Sequence, residues 1–229
     1  YWQDLLEDEI RPVDLADWLK IGKQKEGDNK ERNYNLALTP ELSKQLKTLA
    51  IDQGFNASVV FLGLYQILLH KYTSEQNIAL GMPVLGRPTE EFADSIGNFV
   101  NVILIKNKFT PYSSVNDSMS FLKEQMLDSI EHANYPFHKL NSSFTESGKG
   151  SLSPYIDTTF AFQNFIDEES VNNFTNKGLN WSFVDGISQS SNVHLGLEVL
   201  ESADEFVVKF KFQHQQANVE QVQKLAQSY

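Results

Sequence analysis

The chain has 229 residues, 41% hydrophobic and 12% aromatic, enough for one large globular domain or two small ones with a sizeable core. Its formal net charge of −11 excludes a nucleic-acid backbone and an anionic membrane surface as expected partners, because both repel an acidic protein. Without cysteine there is no disulfide framework, thiolate metal site or cysteine nucleophile, a composition compatible with the cytoplasm.

The opening segment, Tyr1 to Lys20, is acidic and amphipathic, unlike a signal peptide, and is expected to be helical with a break at Arg11-Pro12. A start at Tyr1 rather than Met points to a piece of a longer polypeptide. Ile21 to Asn33 is charged and has no apolar period, so it reads as a linker. A strand follows at Tyr34–Thr39. Thr39 is then an N-cap with Pro40 at the first helical position, and Leu42, Leu46, Leu49 and Ala50 are expected to face a core before Gly54 ends the helix.

A second helix, from Asn56 or Ser58 to about Tyr72, is apolar nearly all round and must be covered on most sides. Its apolar run of about 13 residues is short of the roughly 20 that a membrane span needs. Asn77–Val84 reads as a buried strand, Leu85–Ser95 as a loop carrying Gly86, Arg87 and Pro88, and Phe99–Ile105 as a strand. Val115, Met119, Leu122, Met126 and Ile130 space themselves as a helix of about 18 residues that ends near Asn134, ahead of Pro136. Ser143–Ser153 is Ser/Gly-rich and expected to be a loop. Strands follow at Tyr155–Phe165, Asn192–Leu200 and Glu205–His214. In the last of these, Phe206, Val208, Phe210 and Phe212 form a core face, and a short helix begins near Asn218. Interleaved early elements and a late hairpin-like pair predict an α/β fold, with a mixed β-sheet flanked by helices.

The stretch Ser95–Lys106, SIGNFVNVILIK, opens on residues that strands avoid. Two accounts fit. Gly97 and Asn98 form a turn into a strand whose Asn101 faces solvent, or the stretch is a lining in which Gly97 lets a ligand pass close to the backbone and the Asn101 amide offers it a donor and an acceptor.

Catalytic signatures are missing. His70, His132, His138, His194 and His214 form no i, i+4 pair, and Pro136 separates His132 from His138, so no metal is expected. Gly148-Lys149-Gly150 lacks the spacing of a phosphate loop, and no Gly-x-Ser-x-Gly elbow occurs. Asp157 and Asp185 have no identified partner and read as turn or strand-edge residues.

Four segments in order carry a resemblance: Tyr1-Trp2, GMPVLGRP (Gly81–Pro88), IGNFVNVILIK (Ile96–Lys106) and HANYPFHKL (His132–Leu140). Together with SPYIDTTFAFQNF (Ser153–Phe165) they resemble the C-terminal half of nonribosomal peptide synthetase condensation domains over nearly the whole chain. The resemblance implies one lobe of a chloramphenicol acetyltransferase-like two-lobe fold, with residues 1–32 as opening helices and linker and 33–229 as the α/β lobe. Relatives join carrier-bound aminoacyl or peptidyl thioesters through an amide bond. Their catalytic His-His-x-x-x-Asp-Gly motif belongs to the other lobe, so the implied catalytic set here is empty and the chain is expected to be inactive alone. Gly97, Asn98, Phe99, Val100 and Asn101, with Gln163 and Asn164, would border the substrate tunnel.

The same resemblance implies no directly bound cofactor. The implied partners are carrier (thiolation) domains bringing a phosphopantetheine arm, the N-terminal lobe and an adjacent adenylation domain, with no nucleic acid and no membrane. A lobe without its counterpart is expected to expose apolar surface and self-associate. The family's His-Gln-Asp-x-Pro-Phe-Glu appears as His132, Ala133, Asn134, Tyr135, Pro136, Phe137 and His138, which keeps the bend and loses the acids. GISQSSNVHL faintly resembles heterocyclisation relatives, whereas NFVNVILIK and FAFQN resemble ordinary condensation domains more. The alternatives are a non-catalytic docking or scaffold module of a synthetase and, less favoured, a stand-alone trimeric acyltransferase.

Overall fold

A computed structural model of the chain describes residues 1–6, 13–14, 31–87, 89–92, 94–110, 112, 114–156, 158–164, 194–201, 205–213 and 219–229. Its helices are α1 (Trp2–Leu5), α2 (Pro40–Asp52), α3 (Ala57–Thr73), α4 (Val115–Glu131), α5 (Phe137–Glu146) and α6 (Val219–Ser228). Its strands are β1 (Glu31–Ala37), β2 (Asn77–Val84), β3 (Asn101–Lys108), β4 (Thr158–Gln163), β5 (Leu195–Glu201) and β6 (Phe206–Gln213). The strand order is β1-β6-β5-β4-β2-β3. β2 runs parallel to β4 and antiparallel to β3, and β6 is antiparallel to both β1 and β5, so the sheet is mixed as predicted. The expected helix to Lys20, Pro88, Asp157, Asp185 and His214 lie wholly or partly outside the described residues. No helix among the described residues is long and apolar enough to cross a membrane.

The chain divides into two compact units, Tyr1–Leu15 with Leu62–Phe160, and Ala16–Phe61 with Ala161–Tyr229. The boundary at Phe61/Leu62 falls within α3, whose Val59, Val60, Phe61, Leu62, Tyr65, Leu68 and Leu69 are all buried, as its all-round apolar sequence requires.

In the first unit, Ile78 and Leu80 of β2 and Ile103 and Ile105 of β3 form the core with Tyr65, Leu69 and Leu122. Ser114 and Asp117 close a capping box that starts α4. The buried face of α4 differs from the predicted stripe: Met119, Leu122 and Met126 are buried, but Val115 and Ile130 are exposed, and Ser118, Gln125 and Ser129 take their place. The reason lies in β3, the last strand in the order, whose outward backbone groups have no strand partner among the described residues. Gln125 Oε1 accepts the Lys106 N–H at 2.7 Å and Ser129 Oγ donates to the Leu104 carbonyl at 3.2 Å. Buried polar side chains on α4 thus complete an edge that another strand would otherwise pair. The Tyr1 hydroxyl joins them, 2.6 Å from Ser129 Oγ and 2.9 Å from Gln125 Nε2.

The loop expected from Ser143 is helix as far as Glu146. Phe137, Leu140 and Phe144 recur at helical spacing, Leu140 is buried, and Asn141 Oδ1 fixes the returning chain by accepting the Leu152 N–H at 2.7 Å.

In the second unit, Phe206, Val208, Phe210 and Phe212 form the predicted core face of β6. β1 starts at Glu31, inside the stretch read as linker, because β6 supplies a ladder for it. Thr39 caps α2, Pro40 opens it and Ala50 is buried, all as expected, yet Leu42 and Leu49 are exposed and Ser43 is buried instead. Here again a backbone donor decides the rotation: Ser43 Oγ accepts the buried Phe206 N–H at 3.2 Å, and Lys47 pairs with Glu201 at 3.2 Å on the same face.

Candidate functional site

Val84 pairs with Asn101, so the intervening residues 85–100 must leave the sheet and return at the same point. Gly86 makes the exit possible. Its φ is +60°, and a Cβ there would lie 1.9 Å from the Phe99 carbonyl oxygen, so outgoing and returning backbones touch where only glycine fits. Arg87 then closes the loop. Its guanidinium lies 4.4 Å from the centre of the Phe99 ring, and its Nη1 donates to the Ser95 carbonyl at 2.9 Å and to that of Phe92. The Phe92 and Phe99 rings pack 6.0 Å apart, and Asn98 Oδ1 accepts the Val100 N–H at 3.1 Å.

Asn101 ties this loop to the turn between α4 and α5. Its Nδ2 donates to the carbonyls of Ala133 at 2.7 Å and Tyr135 at 2.9 Å, and its Oδ1 accepts the Phe137 N–H at 3.1 Å. Loop and turn form two walls of an open cleft of about 500 Å³, a volume usual for small-molecule sites. Gly86, Phe92, Asn98, Phe99, Val100 and Asn101 line one wall, and Ala133, Asn134, Pro136 and His138 the other. Phe92, Phe99 and Val100 are apolar, Asn98, Asn134 and His138 are polar, and His138 is the one titratable side chain among the lining residues. Such a lining can hold and orient a ligand.

Of the residues expected at a tunnel wall, Asn98, Phe99, Val100 and Asn101 line this cleft together. Gly97 is exposed beside it, and the close approach there is made by the chain itself, since a Cβ would meet the Phe99 ring at 3.2 Å. Both Asn101 amide hydrogens, expected to face a passing ligand, are taken by backbone carbonyls. Gln163 and Asn164 fall in the second unit, where Gln163 Nε2 donates to Glu198 Oε1. The sequence reading missed Gly86, Phe92, Asn134 and His138 as site residues. The available signals were Gly86 followed by Arg-Pro and the segment His132–Leu140. Two other histidines are engaged by backbone carbonyls: His70 Nδ1 meets that of Glu75 at 2.7 Å, and His132 Nδ1 meets that of Asp128 at 2.8 Å.

Fold and cleft together define an α/β protein with an open cleft of small-molecule size. The chain matches the Condensation domain family along residues 1–229 and belongs to that family, whose fold is chloramphenicol acetyltransferase-like. It is 26% identical over its full length to polyketide synthase PksN of Bacillus subtilis (strain 168), and 27% identical over 81% of its length to gramicidin S synthase 2 of Aneurinibacillus migulanus. In each case it spans 4% of the relative's length. Among solved structures it shares its fold with the condensation domain of the monacolin K polyketide synthase MokA (TM-score 0.74, 15% identity, 97% of this chain and 49% of that one). It also resembles the first condensation domain of the CDA synthetase (TM-score 0.68, 15% identity, 99% and 46%). The chain therefore spans about half the length of these solved domains.

Proposed function

We propose that this chain is the C-terminal lobe of a condensation domain and that its cleft faces the tunnel through which carrier-tethered thioesters meet. The observation that carries the reading is convergence. Three of the sequence segments that carry the resemblance, Gly81–Pro88, Ile96–Lys106 and His132–Leu140, each contribute lining residues to one cleft. In the reaction an acceptor amine attacks the donor thioester carbonyl, an amide forms and the pantetheine thiol leaves. Residues of this chain bind and orient, while the base that receives the amine proton comes from the His-His-x-x-x-Asp-Gly lobe. The chain alone is then inactive. Its partners are the carrier domains and their phosphopantetheine arms, the N-terminal lobe and an adjacent adenylation domain.

The lack of cysteine provides a direct test. Val100→Cys, on the cleft, and Glu124→Cys, on the exposed side of α4, each introduce the only cysteine of this chain. A carrier protein whose pantetheine arm ends in a chloroacetyl group is expected to label the first and spare the second in the complete two-lobe protein. Equal labelling of both positions contradicts the reading.

A further inference from the structure

The cleft wall at residues 132–137 is held by two segments remote in sequence. Asn101 contributes the three hydrogen bonds described above. From the chain's start, Trp2 Nε1 donates to the His132 carbonyl at 3.2 Å, an oxygen that also accepts the Tyr135 N–H of the turn. The Tyr1 ring stacks on His132 with centroids 4.3 Å apart and planes 14° from parallel. Tyr1 is in turn fixed through its hydroxyl to Ser129 and Gln125, which also complete the edge of β3. Trp2 is buried, 8% exposed, so its indole N–H has been withdrawn from water and depends on that carbonyl.

We infer that Trp2 and Asn101 are a pair of positioning residues that clamp the 132–137 turn, so that Ala133, Asn134, Pro136 and His138 stand at a fixed distance from the Asn98–Asn101 wall. The turn has no regular element of its own. Its carbonyls at 132, 133 and 135 and its N–H at 137 are bound by side chains from elsewhere. Asn101 therefore acts on the cleft through the opposite wall rather than by meeting a ligand with its own amide hydrogens. The width of the cleft then depends on Tyr1 and Trp2 as well as on the walls. The substrate consequence rests on the proposed tunnel role; the clamp itself does not.

Two substitutions preserve shape and remove the bonds. Trp2→Phe keeps a buried ring and loses the indole donor, whereas Asn101→Asp keeps an acceptor for Phe137 and loses both donors. If the pair holds one turn, each variant is felt at the other's contact. Trp2→Phe is expected to speed amide exchange about fivefold at the Phe137 N–H, which bonds to Asn101 and not to Trp2. Asn101→Asp is expected to shift the Trp2 indole N–H resonance, although the indole bonds to His132. In the complete two-lobe protein both variants are expected to raise the KM for the tethered substrate several-fold, with kcat per folded enzyme within about twofold of the parent.

Exchange confined to the substituted residue's own contacts overturns the clamp, as does faster exchange spread evenly over α4 and α5. A fall in activity that only tracks the lost folded fraction, with KM unmoved, overturns the positioning role. Should the parent form no amide at all, the proposed function fails, while the reciprocal exchange and resonance effects still decide the clamp.

Discussion

Gly86→Ala probes the crossing on which the cleft is built. Two costs add at this position. An L-residue at φ +60° is disfavoured by about 1–2 kcal/mol. The new methyl would also lie 1.9 Å from the Phe99 carbonyl oxygen, and reaching even 3.0 Å needs a shift of more than an ångström in a backbone tied down through Arg87 and Asn101. Overpacking of this kind costs about 1–3 kcal/mol. Gly148 in the same unit supplies the control, since its φ is +78° but a Cβ there meets nothing within 4 Å. Urea unfolding followed by circular dichroism is expected to place Gly148→Ala about 1–2 kcal/mol below the parent and Gly86→Ala about 2–5 kcal/mol below it. Equal losses in the two variants would show that the Gly86–Phe99 approach constrains nothing.

Other outcomes follow from buried polar groups. Gln125→Leu strands the Lys106 N–H at the β3 edge, with an expected loss of about 1–3 kcal/mol in urea unfolding; a neutral result would mean that the edge needs no side-chain partner. Gln66 is fully buried and neither of its amide atoms has a hydrogen-bond partner among the described residues, so Gln66→Leu is expected to raise stability by about 1–2 kcal/mol, and a lowered melting temperature would contradict this. Burial pushes the Tyr65 phenol far above its ordinary pKa of 10.0, and burial raises that of Tyr1 too. The folded chain keeps these protons where the unfolded chain loses them, so their contribution is whole below about pH 10 and declines as pH rises above it. Phenolate absorbance near 295 nm should therefore appear for Tyr65 only together with loss of helical circular dichroism, and ionisation within a folded chain would refute the assignment.

What the sequence made legible was whatever depends on local pattern. Thr39-Pro40, the all-round apolar α3, β2 and the alternation of β6 appear where periodicity and capping put them, because neighbours along the chain set those features. The rotation of α2 and α4 was not legible. Leucines promised a face that Ser43, Gln125 and Ser129 occupy instead, since backbone donors and acceptors on distant strands claim those side chains. β1 began early for a similar reason, its partner strand lying more than 170 residues on. At the site, the resemblance named Asn98–Asn101, four residues that line one cleft wall together. Gly86, Asn134 and His138 join them through the pairing of Val84 with Asn101, the three bonds of the Asn101 amide and the Trp2 indole bond to His132, contacts between residues as much as 130 positions apart.

Reconstitution tests the central claim most directly. This chain would be mixed with the separately produced lobe bearing the His-His-x-x-x-Asp-Gly motif and with two carriers loaded with donor and acceptor aminoacyl groups, and product followed by mass spectrometry. Amide product from the mixture and none from either half alone is the predicted result. Product from the histidine-bearing lobe alone, at the rate of the mixture, would contradict the account, because the cleft described here would then take no part in bringing the two thioesters together.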